Sequence, residues 1–104
     1  MSEGANDPLS VRAREIAAVE RAKHSMPLGV GSSFQVGDPY PIYLSEGRGA
    51  NVWDVDGHQY VDTHGGFGSM IVGHAHPKIV EAVTVAVSHG SHFAAPTEEG
   101  VLFA

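Results

Sequence analysis

Histidine pairs are the first residues whose type and spacing could support chemistry. The chain contains seven histidines in 104 residues, and His74-x-His76 and His89-x-x-His92 could each supply two imidazole ligands to zinc. Pro77 marks the start of a helix of about a dozen residues that separates the two pairs. At 1.5 Å per residue, the pairs would lie about 18 Å apart. One ion cannot bridge that distance, so a histidine-based metal-binding module is a minor alternative and no metal site is predicted.

A glycine-rich segment is the second candidate. Gly65-Gly66-Phe67-Gly68-Ser69 would allow the backbone to approach a phosphate closely. It matches neither G-x-G-x-x-G nor the G-K-[ST] ending of a P-loop. The residues alone therefore favour a tight structural turn.

The acidic segment Asp54-Val55-Asp56-Gly57 could suggest a calcium loop. Such a loop needs oxygen ligands at alternate positions, a glycine at the sixth position and a glutamate at the twelfth, and this register is not met. Asp-Gly between two runs of β-forming residues is instead typical of a hairpin turn.

A first helix is predicted over roughly 8 to 25. Asp7-Pro8 indicates an N-cap followed by proline at the first helical position, and Pro27 cannot continue a helix. The predicted apolar stripe comprises Leu9, Ala13, Ile16 and Val19. The polar residues, placed mostly on the other faces, are Arg12, Arg14, Glu15, Glu20, Arg21 and Lys23.

Three short runs rich in β-branched and aromatic residues predict an antiparallel meander over 42 to 62. The runs are Ile42–Leu44, Asn51–Val55 and Gln59–Asp62. Predicted turns at Glu46-Gly47-Arg48-Gly49 and Asp56-Gly57 separate them.

The rest of the chain predicts a helix over 77 to 89 and loops over 26 to 41 and 63 to 76. Pro77 would begin this helix, and Gly90 would stop it. A further helix capped by Thr97 would begin near the end of the chain. The predicted fold class is therefore α+β, with an N-terminal helix, a small antiparallel β-meander and a following helix.

The composition argues against several classes of protein. The net charge is −6, with 12 acidic and 6 basic residues, so there is no basic stripe for nucleic acid. No apolar run approaches the ~20 residues of a membrane span, and no secretory signal begins the chain. The absence of cysteine excludes disulfides and thiolate sites. We expect no nucleic-acid or membrane partner, a cytoplasmic location, and disorder in residues 1–7.

Several blocks, taken in order, resemble the start of glutamate-1-semialdehyde aminomutases and related class III aminotransferases. They are Leu28–Ser33, Gly49–Asp62, Gly66–Pro77 and Gly90–Glu98, at the family's spacings over about residues 10 to 104. The resemblance implies that residues 8–104 are the N-terminal segment of a fold type I enzyme, comprising part of its small domain and the start of its large domain. It also implies pyridoxal 5'-phosphate as cofactor, a homodimer, and amino-group transfer between a small-molecule amino donor and a carbonyl acceptor.

The resemblance assigns three substrate-binding positions. In the aminomutase pattern the loop after the first helix contributes a serine and, three residues later, an arginine near the substrate carboxylate, and these positions are Ser32 and Gln35 here. The family also tends to have a tryptophan in the substrate pocket where this chain has Phe67. Glutamine cannot pair with a carboxylate as a bidentate cation does. The two departures favour a bulkier or less acidic amine substrate, and an aminotransferase over the aminomutase.

The family's phosphate-binding turn, the aspartate that pairs with the pyridine nitrogen and the Schiff-base lysine would all lie downstream of this region. The two lysines, Lys23 and Lys78, occupy positions unlike that lysine. We therefore predict no catalytic residue in this chain, and expect a fragment or truncated product that is inactive in isolation. The alternative is a non-catalytic interaction fragment that pairs with the remainder of an aminotransferase.

Overall fold

The structure is a computed structural model that describes residues 12–104. The chain divides into one compact unit that ends at His74 and a second that comprises Ala75–Ala104. The disorder predicted for residues 1–7 and the helix start predicted at Asp7-Pro8 lie outside the described residues.

The first described helix, α1, spans Ala13–Ala22. Arg12 precedes it with non-helical dihedral angles (φ −121°, ψ 27°), so the prediction of one continuous helix over 8 to 25 is wrong. The backbone N–H groups of Arg14 and Glu15 donate to the carboxylate of Asp56 at 3.0 and 2.9 Å. A side chain distant in sequence therefore fixes the start of α1, which local sequence signals could not show.

The predicted loop after α1 contains two short 3₁₀ turns, Pro27–Gly29 and Ser33–Gln35. Gly29 has a φ of +73° and is buried, a conformation that suits glycine. The hydroxyl of Tyr43 donates a hydrogen bond to the Gly29 carbonyl. This contact ties the loop to the chain segment that enters the sheet.

The three strands form an antiparallel sheet in the order β1-β2-β3, as predicted. Strand β1 spans Leu44–Arg48, β2 spans Asn51–Asp54 and β3 spans Gln59–Val61. Val52 pairs with Tyr60 across β2 and β3. The second turn contains Gly57 at a φ of +89°, which confirms the Asp-Gly turn prediction.

The first strand is displaced from its predicted position. The turn predicted at residues 46 to 48 is wrong, because these residues belong to β1 and the turn is formed by Gly49 and Ala50. Gly47 lies within β1, and the ring of His74 packs directly on it. A Cβ at this position would lie 2.7 Å from His74 Cγ. Glycine at this position permits close packing rather than a turn.

The interior of the first unit combines a small apolar core with buried charge. Among the described residues, Val19 and Val52 are the buried hydrophobic side chains, and Glu15 and Asp54 are buried carboxylates. The burial of Val19 confirms part of the predicted stripe. The placement of Glu15 on a polar face is wrong, because its side chain is fully buried against Arg12.

A one-turn helix of the first unit, α2, spans Gly65–Gly68, and the second unit contains helices α3, Pro77–Val87, and α4, Glu98–Phe103. Proline occupies the first turn of α3 as predicted, and the helix ends two residues before the predicted limit. The Thr97 side chain accepts a hydrogen bond from the Gly100 N–H at 3.4 Å, which confirms the predicted cap of α4.

Candidate functional site

The first unit carries an open pocket of about 1550 Å³. Its walls come from the loop after α1, the chain leading into β1, and the segment after β3. Gln35 and Phe67, both predicted as substrate-binding residues, line this pocket, whereas Ser32 is not among its lining residues. The structure thus brings two of the three predicted residues to one surface.

Ser32 nevertheless contacts Gln35 directly. The Gln35 side-chain oxygen accepts a hydrogen bond from the Ser32 backbone N–H at 3.2 Å, and the Gln35 backbone N–H donates to the Ser32 carbonyl at 3.0 Å. The pair closes the second 3₁₀ turn on itself. Ser32 therefore orients the amide of Gln35 through its backbone.

Phe67 lies in a one-turn helix, α2, that spans Gly65–Gly68 and contains left-handed residues. Its φ is +60° and its side chain is 74% exposed. The Phe67 N–H donates to Nδ1 of His64 at 3.1 Å. This unusual backbone conformation, rare for a large side chain, places the ring at the pocket surface.

Two further aromatic side chains join Phe67, and we call Phe34, His64 and Phe67 the aromatic cluster. The rings of Phe34 and Phe67 meet edge to face with centroids 4.8 Å apart. His64 stacks on Phe34 at 5.9 Å and meets Phe67 at 4.3 Å. Phe34 and His64 were not predicted from the sequence, because the cluster forms only where the loop after α1 meets the segment after β3.

A carboxylate–imidazole hydrogen bond lies at the start and end of the segment that carries Phe67. Oδ2 of Asp62 is 2.5 Å from Nε2 of His74, and Oδ1 accepts from the N–H groups of His64 and Gly65, both at 2.9 Å. The Gly65 N–H, then His74 and the His64 N–H, hold the pKa of Asp62 well below its usual range, at about 2. The carboxylate is therefore charged at neutral pH.

Arg12 is the single arginine or lysine among the described residues that line the pocket. Its guanidinium donates to Glu15 at 3.0 Å and to the Tyr60 hydroxyl at 3.3 Å. The Tyr60 and Glu15 side chains raise the pKa of Arg12. Its charge thus balances a buried carboxylate within the fold.

The comparisons with known proteins agree with this architecture. A family model described as Aminotransferase class-III matches residues 33–102. The chain belongs to the class-III aminotransferase family. A glutamate-1-semialdehyde 2,1-aminomutase from Methanopyrus kandleri is 45% identical over 78 residues, which are 75% of this chain and 18% of that protein.

Solved structures of transaminases share the α+β fold of this class-III aminotransferase chain. A transaminase with PLP bound superposes with a TM-score of 0.81 at 40% identity, covering 88% of this chain and 22% of that one. An omega-transaminase from Sphaerobacter thermophilus gives a TM-score of 0.74 at 38% identity, with coverages of 80% and 19%. The chain spans about a fifth of the length of the relatives it matches.

Class-III aminotransferases use pyridoxal phosphate, which requires a lysine amine for its imine. Lys23 is exposed and pairs with Glu20 at 2.9 Å, and Lys78 is the second residue of α3. No lysine lines the described part of the pocket. The described residues that line the pocket therefore include no group that fits covalent attachment of the cofactor.

Two other properties concern the part of the chain from residue 12 onward. There, no group of three or more histidine, cysteine, aspartate or glutamate side chains is arranged to hold a metal ion. None of its helices combines the length and apolar character that crossing a membrane requires.

Proposed function

We propose that the pocket forms the substrate side of an aminotransferase active site, and that its amino donor carries an uncharged side chain. Gln35 carries this proposal, because it lines the pocket at the position where the aminomutase pattern has an arginine. An arginine pairs with a carboxylate through two charge-assisted hydrogen bonds, and the neutral amide of glutamine cannot form this pairing.

Arg12 does not replace the missing arginine in this proposal. Its guanidinium hydrogen-bonds to Glu15, whose side chain is fully buried. Diverting Arg12 to a substrate would leave a buried carboxylate without its cation, which is strongly unfavourable. A second carboxylate on the substrate would therefore lack a positive partner on this wall.

The aromatic cluster favours a substrate with an apolar group. Phe34 and Phe67 are 57% and 74% exposed within the pocket wall, so a bound apolar side chain would remove aromatic surface from water. Ser32 contributes by fixing the Gln35 amide. These residues bind and orient the donor and exclude water from one side of it.

Pyridoxal phosphate, when bound, supplies the electron sink for amino-group transfer to a carbonyl acceptor. The proposal includes a homodimer and a cytoplasmic location, which rest on the family resemblance and on a sequence without cysteine. It also includes inactivity of these 104 residues by themselves, because neither Lys23 nor Lys78 lines the pocket. Mixing the isolated chain with the cofactor should give no borohydride-reducible adduct accompanied by turnover.

Gln35→Arg tests the proposal in the cofactor-loaded enzyme that carries this segment. The variant should raise kcat/KM for dicarboxylate donors relative to monocarboxylate or simple amine donors by about tenfold or more, as a gained hydrogen bond to a charged group of ~1.5–3 kcal/mol implies. Gln59→Arg, at an exposed position of β3 outside the pocket lining, is the matched control. If Gln35→Arg leaves the kcat/KM for dicarboxylate donors relative to monocarboxylate donors unchanged, residue 35 is structural and the support for this substrate class is removed.

The second unit supports the alternative that the chain is an interaction fragment that pairs with the remainder of an aminotransferase. Ile79, Val83 and Phe103 are 49%, 57% and 95% exposed, which is unusual for large apolar side chains without a partner. Co-elution of this chain with a class-III aminotransferase that lacks the corresponding region, together with restored transamination, would support the alternative. Co-elution without turnover would favour a purely non-catalytic role.

A further inference from the structure

The segment that presents Phe67 is a closed loop. We call residues 63–73 the Phe67 loop; Asp62 precedes it, immediately after β3, and His74 follows it. The side chains of Asp62 and His74 meet at 2.5 Å and are only 15% and 25% exposed. The pair joins the two ends of the loop through a contact that is largely shielded from water.

Both ends of the loop are also fixed to the sheet by backbone hydrogen bonds. The Asp62 N–H donates to the Ala50 carbonyl at 2.8 Å, and Gly49 and His74 exchange two N–H to carbonyl bonds at 2.9 and 2.8 Å. The His74 ring packs directly on Gly47 of β1. The Asp62–His74 pair is therefore held against β1 and the β1–β2 turn.

The Asp62 carboxylate also binds the backbone at the start of the Phe67 loop. Oδ1 of Asp62 accepts from the N–H groups of His64 and Gly65, and His64 in turn accepts the Phe67 N–H at its Nδ1. An unbroken series of contacts therefore runs from His74 through Asp62 and His64 to Phe67. A large side chain at a φ of +60° persists only where its surroundings determine its conformation.

We propose that Asp62 and His74 are positioning residues that set substrate choice by holding Phe67 at the pocket wall. The proposal rests on the proposed function, in which Phe67 contacts the donor. Neither residue acts on the reacting atoms; each acts through the loop. Replacing Asp62 by asparagine removes the charge that holds His74 while keeping nearly the same side-chain volume.

A double-mutant cycle tests this inference in the cofactor-loaded enzyme that carries the segment. The measured quantity is the donor ratio, defined as kcat/KM for an aryl-substituted donor, β-phenylalanine, divided by kcat/KM for β-alanine. We expect Asp62→Asn to lower the donor ratio about tenfold with Phe67 present and less than twofold in a Phe67→Leu background, because the effect passes through the ring. Glu46→Gln, which alters an exposed carboxylate of β1, should leave the donor ratio unchanged.

Amide hydrogen exchange supplies a readout that does not depend on turnover. In Asp62→Asn, exchange within residues 63–73 should accelerate about tenfold, while residues 51–54 of β2 should be unaffected. The positioning role would be overturned by either of two results. One is an unchanged exchange rate within residues 63–73 in Asp62→Asn; the other is an equal effect of Asp62→Asn on the donor ratio with Phe67 present and in the Phe67→Leu background. A donor ratio that responds to Phe67→Leu but not to Asp62→Asn would overturn this inference alone. A donor ratio insensitive to Phe67→Leu would overturn the proposed function and this inference with it.

Discussion

The Asp56 carboxylate accepts a hydrogen bond from the backbone N–H of Glu15 at 2.9 Å, so the β2–β3 turn caps the N-terminus of α1. Its other oxygen accepts from the Arg14 N–H at 3.0 Å. A carboxylate satisfies two unpaired donors there and interacts favourably with the positive end of the helix dipole. Asp56 therefore links the sheet to the start of α1.

Asp56→Ala should lower the free energy of unfolding by about 1 kcal/mol, the usual cost of losing a helix N-cap. Asp56→Asn keeps a turn-forming residue but can accept through only one oxygen, so its loss should be smaller. Urea unfolding followed by circular dichroism measures both. Glu81→Ala, at an exposed position within α3, is the control. Equal stability of Asp56→Ala and the parent protein would show that the cap contributes nothing.

Asp54 should make stability depend on pH in the acid range. Burial alone would raise the pKa of this carboxylate, but hydrogen bonds from the His58 N–H, the Tyr60 hydroxyl and the His58 ring outweigh it and lower the pKa to about 2 from the usual 3.8. A lowered folded-state pKa gives stability that is present above about pH 4 and is lost as pH falls toward 2. The loss is at most about 2.5 kcal/mol, because each unit of pKa corresponds to about 1.4 kcal/mol.

The comparison of Asp54→Asn with the parent protein isolates this dependence. Unfolding free energies measured at about pH 7, 4 and 2.5 should converge for the two proteins as pH falls, because protonation removes the same charge that the substitution removes. A constant difference across this range would show that Asp54 does not carry the acid sensitivity.

Local sequence signals correctly predicted the elements whose ends are fixed by neighbouring residues in the sequence. Pro77 and Thr97 correctly indicated the starts of α3 and α4, and the turn around Gly57 correctly joined two strands. The start of α1 could not be read in this way, because its cap, Asp56, lies more than 40 residues away.

The sequence also indicated part of the pocket. The family resemblance assigned Gln35 and Phe67, which the fold brings to one surface. It could not identify Phe34 or His64, because their role depends on two loops meeting in space. Gly47 was mistaken for a turn residue because its packing partner, His74, is close in the fold but distant in sequence.

Gly47→Ala should destabilise the first unit by about 1–3 kcal/mol, as expected for an inserted methyl group in a tightly packed place. The added Cβ would lie 2.7 Å from His74 Cγ and would have to displace a ring held by Asp62. Thermal or urea unfolding measures the effect. Gly31→Ala is the matched control, since its new Cβ would meet no atom nearer than 3.8 Å. Equal effects of the two substitutions would contradict the packing argument.

Phe67→Trp should narrow the pocket and penalise bulky donors. The ring is 74% exposed and contacts Phe34 and His64, so the larger indole would extend into the pocket volume. A difference of one or two carbon groups in an apolar pocket changes kcat/KM roughly 10- to 100-fold. We therefore expect the β-phenylalanine to β-alanine donor ratio to fall about tenfold or more, with little change in cofactor affinity.

Phe67→Tyr provides the matched control, because it keeps the ring size of phenylalanine and should retain most of the parent donor preference. Cofactor affinity is measured separately by titration of the imine absorbance. A parallel fall for both donors in Phe67→Trp, accompanied by reduced stability, would mean that residue 67 only packs the loop. A selective loss of the bulky donor, with unchanged stability, would place this ring against the donor side chain.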